Sequence, residues 1–175
     1  MANLSTLIRA QKMDVLEPKA SQIEKLLEDS IAVVRNIALL LRPPMLDDLG
    51  LLAALQWQAR EVTRRSGIRV KIAAEGIPEN LPDSLNTCIY RVVQEALHNV
   101  VKHAPAHTVR VSVRSEQGHI YLSIQDDGRG FHAEEERGRG LLGMEERVSH
   151  LGGSFALESE PGEGAILRVI LPVAA

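Results

Sequence analysis

Apolar residues in the first quarter of the chain recur at helical spacing. Between residues 20 and 41 they return about every 3.5 positions, and charged side chains occupy the other faces. Pro18 can open a helix but is not tolerated inside one. The pattern predicts a short helix over about residues 4–15 and a longer one over about 20–41. Two helices alone bury little apolar surface, so we expect them to pack on the following domain or to pair with a second copy.

The remaining residues show the pattern of a compact α+β unit. Two prolines at 43 and 44 end the second helix, and Asp47 or Asp48 can cap the next one. Period-2 alternation in two segments joined by Glu116-Gln117-Gly118 predicts a hairpin. The predicted elements are, in order, a helix at 49–65, a strand at 68–73, a helix at 83–103, hairpin strands at 108–115 and 119–125, a helix at 141–150, and strands at 154–160 and 165–173.

Composition narrows the classes of protein. The chain has 175 residues, of which 45% are hydrophobic and 25% charged, as in a folded globular protein. A net charge of −3 gives no general attraction to nucleic acid or anionic lipid. The single cysteine, Cys88, excludes an internal disulfide and fits a reducing compartment. The longest apolar run is too short to span a membrane, and the first residues lack a signal core, so we expect a cytoplasmic protein without direct nucleic-acid or membrane contacts.

A glycine pattern, G-x-G-x-x-G, occupies residues 138–143. A dinucleotide-binding fingerprint needs a strand just before it, and the preceding HAEEER run excludes one. A protein-kinase glycine loop leads into a strand and is accompanied by H-R-D and D-F-G sequences, which are absent. Free N–H groups at a helix start can instead bind phosphate, and glycine allows its close approach. A surface loop before a helix explains the same glycines equally simply.

The segment IYLSIQDDGRGF, at 120–131, places a carboxylate at the end of an alternating strand. Asp126 continues the parity of the apolar positions 120, 122 and 124, so it should point toward the apolar side, and Asp127 should face out. A carboxylate facing an apolar cleft needs a partner, and an amino group such as that of adenine is suitable. A turn in which Asp126 caps backbone N–H groups is the alternative.

The helix around YRVVQEALHNVVKHA presents two faces. At 100° per residue, Asn99 lies about 40° and Lys102 about −20° from Glu95, so these three side chains share a polar face. Carboxylate and amide oxygens suit Mg²⁺, and a lysine can pair with phosphate. A solvated polar face is the alternative. A separate apolar stripe comprises Leu85, Ile89, Val92, Ala96 and Val100.

Taken together and in this order, the three segments resemble the ATP-binding domain shared by sensor histidine kinases, DNA gyrase, heat-shock chaperone ATPases and mismatch-repair ATPases. Glu95-x-x-x-Asn99 resembles the N box, DDGRGF the first glycine box and GRGLLGM the second. Within that superfamily, LRPPMLDDLGLLAAL and YRVVQEALHNVVKHA are most similar to the nitrate-sensor-type class of two-component histidine kinases.

The resemblance implies an α+β fold, a two-layer sandwich of the Bergerat type with a mixed sheet under helices, preceded by a helical hairpin. It divides the chain into a partial dimerisation hairpin (1–45), a connector helix (46–67) and an ATP-binding domain (68–175). It also implies a homodimer formed through the N-terminal helices. The implied partner is a response regulator of the helix-turn-helix output class, and the parent protein could be a membrane-bound sensor.

The resemblance further implies ATP and Mg²⁺ as cofactors and assigns roles to single residues. Asp126 would contact the adenine amino group, Asn99 and Glu95 would hold Mg²⁺, and Glu95 matches the residue that activates water in the ATPases. The glycines of the second box would contact phosphates beneath a lid at about 130–142. The implied nucleotide-binding set is Asn99, Lys102, His103, Asp126, Gly128, Gly130, Gly138, Gly140, Leu141, Gly143, Met144 and Ala165.

Two departures from the family pattern affect the expected activity. The family usually has threonine where this chain has Ala165, so we expect weaker adenine binding. The histidines are His98, His103, His107, His119, His132 and His150. None precedes residue 98, so we expect the chain to begin about two turns after the family's phosphoacceptor histidine. We therefore expect an ATP-dependent protein-histidine kinase fragment that does not phosphorylate itself but can phosphorylate a histidine of another chain, for relay to a response regulator.

Two alternatives to a histidine kinase share the same fold. Anti-sigma-factor-like serine kinases usually lack the long hairpin and the LRPPMLDDLGL connector, whereas this chain has that connector sequence and the pattern of a hairpin. A non-catalytic interaction module with a vestigial nucleotide site would not need the polar residues that this chain retains.

Overall fold

The structure of the protein is a computed structural model, which describes residues 44–132 and 138–173. The predicted helices over 4–15 and 20–41, and with them the dimerisation hairpin, lie outside the described residues. The elements are α1 (Pro44–Ser66), β1 (Arg69–Glu75), α2 (Asp83–His103), β2 (Thr108–Glu116), β3 (His119–Asp126), α3 (Arg139–Ser149), β4 (Ser154–Ser159) and β5 (Ala165–Pro172).

The five strands form one mixed sheet in the order β1-β2-β3-β5-β4. β1 and β2 run parallel, with α2 as their connection, whereas the other neighbouring pairs are antiparallel. The predicted hairpin between β2 and β3 is confirmed. Its two-residue turn is formed by Gln117 and Gly118, whose φ values of 49° and 75° are of the kind that such tight hairpin turns require. Because the helices pack on this mixed sheet around one core, the predicted two-layer sandwich is confirmed.

The hydrophobic core lies between the helices and one face of the sheet. Strands β2, β3 and β5 alternate buried and more exposed residues, so every second side chain points to the helices. The predicted apolar stripe of α2 faces these strands, and each of its five residues is at most 7% exposed. Burial of this stripe leaves the neighbouring face of α2 available for polar side chains.

Helix α1 begins earlier than the sequence pattern predicted. We expected a helix at 49–65 after a proline stop, but the helix starts at Pro44 and breaks at Gly50, where φ is 76° and ψ is 173°. Proline is tolerated in the first turn of a helix because the N–H groups there have no partner in the helix. The expected cap by Asp47 or Asp48 concerns side chains outside the described ones. None of the described helices is both long and apolar enough to cross a membrane.

Candidate functional site

The end of strand β3 directs two adjacent carboxylates to opposite sides. Asp126 is 9% exposed, and its Oδ1 accepts a hydrogen bond of 2.9 Å from the backbone N–H of Gly128. The exposed Asp127 accepts backbone N–H groups of His107 at 2.7 Å and Thr108 at 2.8 Å. The predicted orientation, Asp126 inward and Asp127 outward, is confirmed. Asp127 therefore fastens the start of β2, whereas Asp126 faces the interior.

The surroundings shift the pKa values of the two carboxyls in opposite directions. Burial raises the pKa of Asp126 above its ordinary 3.8, although backbone N–H groups of Gly128 and Ala165 donate to its carboxylate and oppose the shift. Hydrogen bonds from the backbone of Thr108 and His107 lower the pKa of Asp127. Asp126 is thus an incompletely solvated acceptor that gains from a further hydrogen-bond donor.

Opposite pKa shifts predict opposite pH dependences of stability. The raised pKa of Asp126 means that its contribution to the free energy of unfolding is present below the unfolded-state pKa and is lost as the pH rises through the folded-state pKa. The lowered pKa of Asp127 means that its contribution is present above the unfolded-state pKa and is lost as the pH falls through the folded-state pKa. Urea unfolding of wild type, Asp126→Asn and Asp127→Asn between about pH 3 and pH 7 measures both. The free energy of unfolding of wild type minus that of Asp126→Asn should fall as the pH rises. The same difference taken with Asp127→Asn should rise with pH, and slopes of the same sign would contradict this assignment.

Three glycines around Asp126 are required by close contacts within the protein. A methyl group at Gly128 would lie 2.8 Å from both Oδ1 of Asp126 and Cβ of Ala104. At Gly164, where φ is 76°, it would overlap the backbone oxygen of Asp126. At Gly130, where φ is 60°, it would overlap a backbone oxygen of the turn between β4 and β5. Gly130 and Gly164 therefore allow the Asp126 turn and the β4–β5 turn to pack against each other through their backbones, whereas Gly128 packs on Ala104.

Helix α2 and the start of α3 meet at the predicted polar face. Glu95 and Asn99 are half-buried one turn apart on α2. A methyl group at Gly140 would overlap Oε1 of Glu95 and lie 3.6 Å from Nδ2 of Asn99. The first turn of α3 therefore lies directly over the carboxylate and the amide. Lys102 and His103 are exposed further along α2, in its last turn.

The other two glycines of the G-x-G-x-x-G pattern face open space. A methyl group at Gly138 or Gly143 would meet nothing within 4 Å, so packing among the described residues does not require glycine there. Gly138 is the N-cap of α3, and its carbonyl oxygen accepts the backbone N–H groups of Leu141 and Leu142. The helix start thus combines backbone N–H groups with room beside them, which is the chemistry of an anion site.

Met144 and Leu141, two residues of the predicted nucleotide-binding set, have side chains that face the hydrophobic core. Met144 is 1% exposed within the hydrophobic core, so in this structure its side chain offers no surface to a ligand. Leu141 is half-buried and packs against the core. Helical spacing already indicates this burial, because Met144 and the buried Val148 are four positions apart on one face of α3.

One polar residue at the site was missed. Ser159 is half-buried at the end of β4, where its hydroxyl accepts the backbone N–H of Phe131 and donates to the carbonyl of Gly164. Strand parity could have indicated it, because Ser159 shares the inward parity of Phe155 and Leu157.

The residues present fit a magnesium ion only together with phosphates. Among residues 44–132 and 138–173, no group of three or more His, Cys, Asp or Glu side chains is arranged to hold a metal. Glu95 and Asn99 place one carboxylate and one amide on one helix face, whose oxygens would be the ligands. Mg²⁺ typically keeps several waters and is held by one or two carboxylates plus substrate phosphates, so this pair fits such a shared site.

Comparison with known proteins places this fold in one family. The sequence profile described as Histidine kinase-, DNA gyrase B-, and HSP90-like ATPase matches residues 85–175. The chain is 34% identical over 153 residues to the signal transduction histidine-protein kinase/phosphatase DegS of Brevibacillus brevis, covering 86% of this chain and 40% of DegS. It is 33% identical over 166 residues to the oxygen sensor histidine kinase NreB of Staphylococcus carnosus, covering 93% of this chain and 48% of NreB.

A solved structure supports the same fold. The histidine kinase domain of the blue-light activated histidine kinase EL346 of Erythrobacter litoralis superposes with a TM-score of 0.56 at 24% identity, over 70% of this chain and 61% of that domain. The chain therefore belongs to the histidine kinase-, DNA gyrase B- and HSP90-like ATPases, whose domains bind ATP. Within them it is an ATPase domain of the nitrate-sensor-type histidine kinases. It spans less than half the length of the two curated relatives.

Proposed function

We propose that the chain binds Mg²⁺·ATP between α2, the Asp126 turn and the start of α3, and transfers the γ-phosphoryl group to a histidine. The observation that carries this proposal is that the start of α3 and the Asp126 turn both pack against α2 or the residue that follows it. The start of α3 lies over Glu95 and Asn99, and the Asp126 carboxylate is held inward at the end of the adjacent strand. A carboxylate for an amine, oxygen ligands for a cation and backbone N–H groups for phosphates are the parts that this substrate needs.

Each part of the site has a defined task in this proposal. Asp126 accepts the adenine amino group, and the close packing at Gly128 and Gly164 holds the turn that carries this carboxylate. Glu95 and Asn99 would hold Mg²⁺, which would neutralise phosphate charge, and Gly138 and Gly143 leave room for the phosphates beside the start of α3. Such sites act mainly by positioning and by electrostatic stabilisation. As the P–O bond to ADP breaks, a P–N bond to the imidazole forms.

Ala165 bears on the strength of adenine binding. It pairs with Asp126 in the β3–β5 ladder, and its backbone N–H donates to the Asp126 carboxylate. It has no hydroxyl to add to this contact, whereas the family usually has threonine. We therefore propose an adenine site that depends on Asp126 and its backbone contacts.

The partners follow from the class. Sensor histidine kinases pair with response regulators, and we propose one of the helix-turn-helix output class. We also propose that the protein acts in the cytoplasm as a homodimer formed through its N-terminal helices. The acceptor histidine would come from another segment or chain, because residues 1–97 contain none.

Nucleotide binding and phosphotransfer test the proposal in sequence. Mg²⁺·ADP at about 100 times its Kd should raise the free energy of unfolding by about 2.7 kcal/mol. Incubation with γ-labelled ATP and a histidine-containing dimerisation hairpin from a related sensor kinase should then label the hairpin. The label should be acid-labile, as phosphohistidine is, and a hairpin with His→Gln is the control. An unmoved unfolding transition would contradict nucleotide binding, and an acid-stable label would indicate a serine kinase instead.

A further inference from the structure

Ser159 joins two backbone segments at the edge of the proposed nucleotide site. Its Oγ accepts the backbone N–H of Phe131 at 2.9 Å and donates to the carbonyl oxygen of Gly164 at 2.8 Å. The first segment leads away from the Asp126 turn, and the second is the last residue of the β4–β5 turn. One hydroxyl therefore links two segments that are distant in sequence, because it donates to one and accepts from the other.

The contact with Gly164 reaches the Asp126 carboxylate through a single peptide group. The carbonyl of Gly164 and the N–H of Ala165 belong to the same planar unit, in which they point in opposite directions. Ala165 lies opposite Asp126 in the β3–β5 ladder, where burial raises the pKa of the Asp126 carboxyl and the Ala165 backbone N–H acts to lower it. A hydrogen bond that holds the Gly164 carbonyl oxygen in place therefore also restricts the direction of the Ala165 N–H. Hydrogen bonds thus connect Phe131 through Ser159 to the peptide of Ala165, which lies opposite Asp126 in the β3–β5 ladder.

Two further contacts hold the same segments together. The backbone N–H of Gly162 donates to the carbonyl of Arg129 at 2.6 Å. The backbone at Gly130 approaches the carbonyl of Glu160 so closely that no side chain fits between them. These contacts keep the β4–β5 turn against the Asp126 turn, but neither of them acts on the Gly164–Ala165 peptide. The Ser159 hydroxyl bonds directly to the carbonyl of this peptide, at the point where Ala165 enters the strand ladder.

We propose that Ser159 is a positioning residue for nucleobase recognition, in which its hydroxyl orients the Gly164–Ala165 peptide and, through it, the Asp126 carboxylate. This inference rests on the proposed function, since it assigns Asp126 to the adenine amino group. Without the hydroxyl, the Gly164 carbonyl and the Phe131 N–H lose this partner, and the peptide can tilt. The carboxylate then presents a less well aligned acceptor to the base, whereas the phosphate-facing start of α3 keeps its geometry.

Discrimination between two bases separates this role from a merely structural one. Guanine carries an oxygen where adenine carries its amino group, so GDP gains nothing from an aligned Asp126 acceptor. Calorimetry with Mg²⁺·ADP and Mg²⁺·GDP should show ADP affinity roughly three- to tenfold lower in Ser159→Ala, with GDP affinity unchanged. Ser159→Thr, which keeps the hydroxyl, should restore the ratio. Ser154→Ala, at the exposed opposite end of β4, is the matched control and should behave as wild type.

Amide hydrogen exchange of the nucleotide-free protein tests the contact itself. Exchange at Phe131 and Ala165 should be faster in Ser159→Ala than in wild type or Ser154→Ala, and unchanged exchange would overturn the proposal. Equal losses of ADP and GDP affinity in Ser159→Ala, or no loss, would overturn it as well. If wild type bound neither nucleotide, the proposed function itself would fail. Should Ser159→Ala not fold, Ser159→Cys, with its weaker thiol donor, should shift the ratio in the same direction by less.

Discussion

Asp126→Asn is expected to weaken Mg²⁺·ADP binding roughly 10- to 150-fold. The substitution keeps the shape of the side chain but replaces a charged acceptor with an amide that has one acceptor oxygen and one NH₂ donor. Two backbone N–H groups, of Gly128 and Ala165, already point at this carboxylate. The amide can satisfy them only by using the oxygen that the adenine amino group would need, and its NH₂ group repels that donor. Isothermal titration calorimetry measures the loss directly.

The adjacent residue provides a matched control. Asp127→Asn makes the same chemical change one position along, but Asp127 is exposed and holds the backbone of His107 and Thr108. Its ADP affinity should stay within about twofold of wild type, because single surface changes away from a site have small effects. Equal affinities of the two variants would contradict the assignment of Asp126, and a greater loss in Asp127→Asn would reverse it.

Local periodicity was sufficient to predict the orientation of Asp126 and the buried face of α2. In β3, side chains alternate strictly between faces, so apolar residues at 120, 122 and 124 determine where residue 126 points. In α2, the spacing of the stripe leaves Glu95 and Asn99 beside it. Both predictions depend only on the geometry of one element. The roles of these residues toward a nucleotide remain proposals.

Contacts between distant segments could not be predicted in this way. β5 lies between β3 and β4 in the sheet, which brings Gly164 against Asp126 and Ser159 against Phe131. Sequence patterning predicted β4 and β5 as strands but carried no information on which further strand β5 joins. The helix start at Pro44 was missed for a local reason, since a proline both ends one helix and opens the next.

The glycines show why a pattern of residue types underdetermines a site. Gly128, Gly130 and Gly164 are required by contacts inside the protein, and Gly140 by its contact with Glu95. Gly138 and Gly143, in contrast, face open space. One string, G-x-G-x-x-G, thus contains a glycine that packs on the proposed metal ligands and two that leave room for a ligand. Only the second kind points directly to phosphate.

Gly140→Ala is expected to reduce phosphotransfer at saturating Mg²⁺·ATP by at least about tenfold with little change in stability. The added methyl group would overlap Oε1 of Glu95, the far end of a flexible side chain, so Glu95 would rotate away while the backbone stays in place. The gain of about 1 kcal/mol in helix propensity offsets part of the cost. A preorganised electrostatic group typically contributes about 10²- to 10³-fold to a rate, so displacing this proposed Mg²⁺ ligand should be measurable in the labelling of the supplied hairpin.

A double-mutant cycle with Glu95→Gln then decides whether the methyl group acts through Glu95. If it does, Gly140→Ala combined with Glu95→Gln should be no slower than Glu95→Gln alone, because both changes remove the same interaction. Leu142→Ala, at a 55% exposed position in the same turn of α3, is the control and should transfer phosphate at the wild-type rate. Additive losses would show that the methyl group acts elsewhere, at the phosphates or on the helix start itself. Non-additive losses would make Glu95 the group through which the start of α3 controls the reaction.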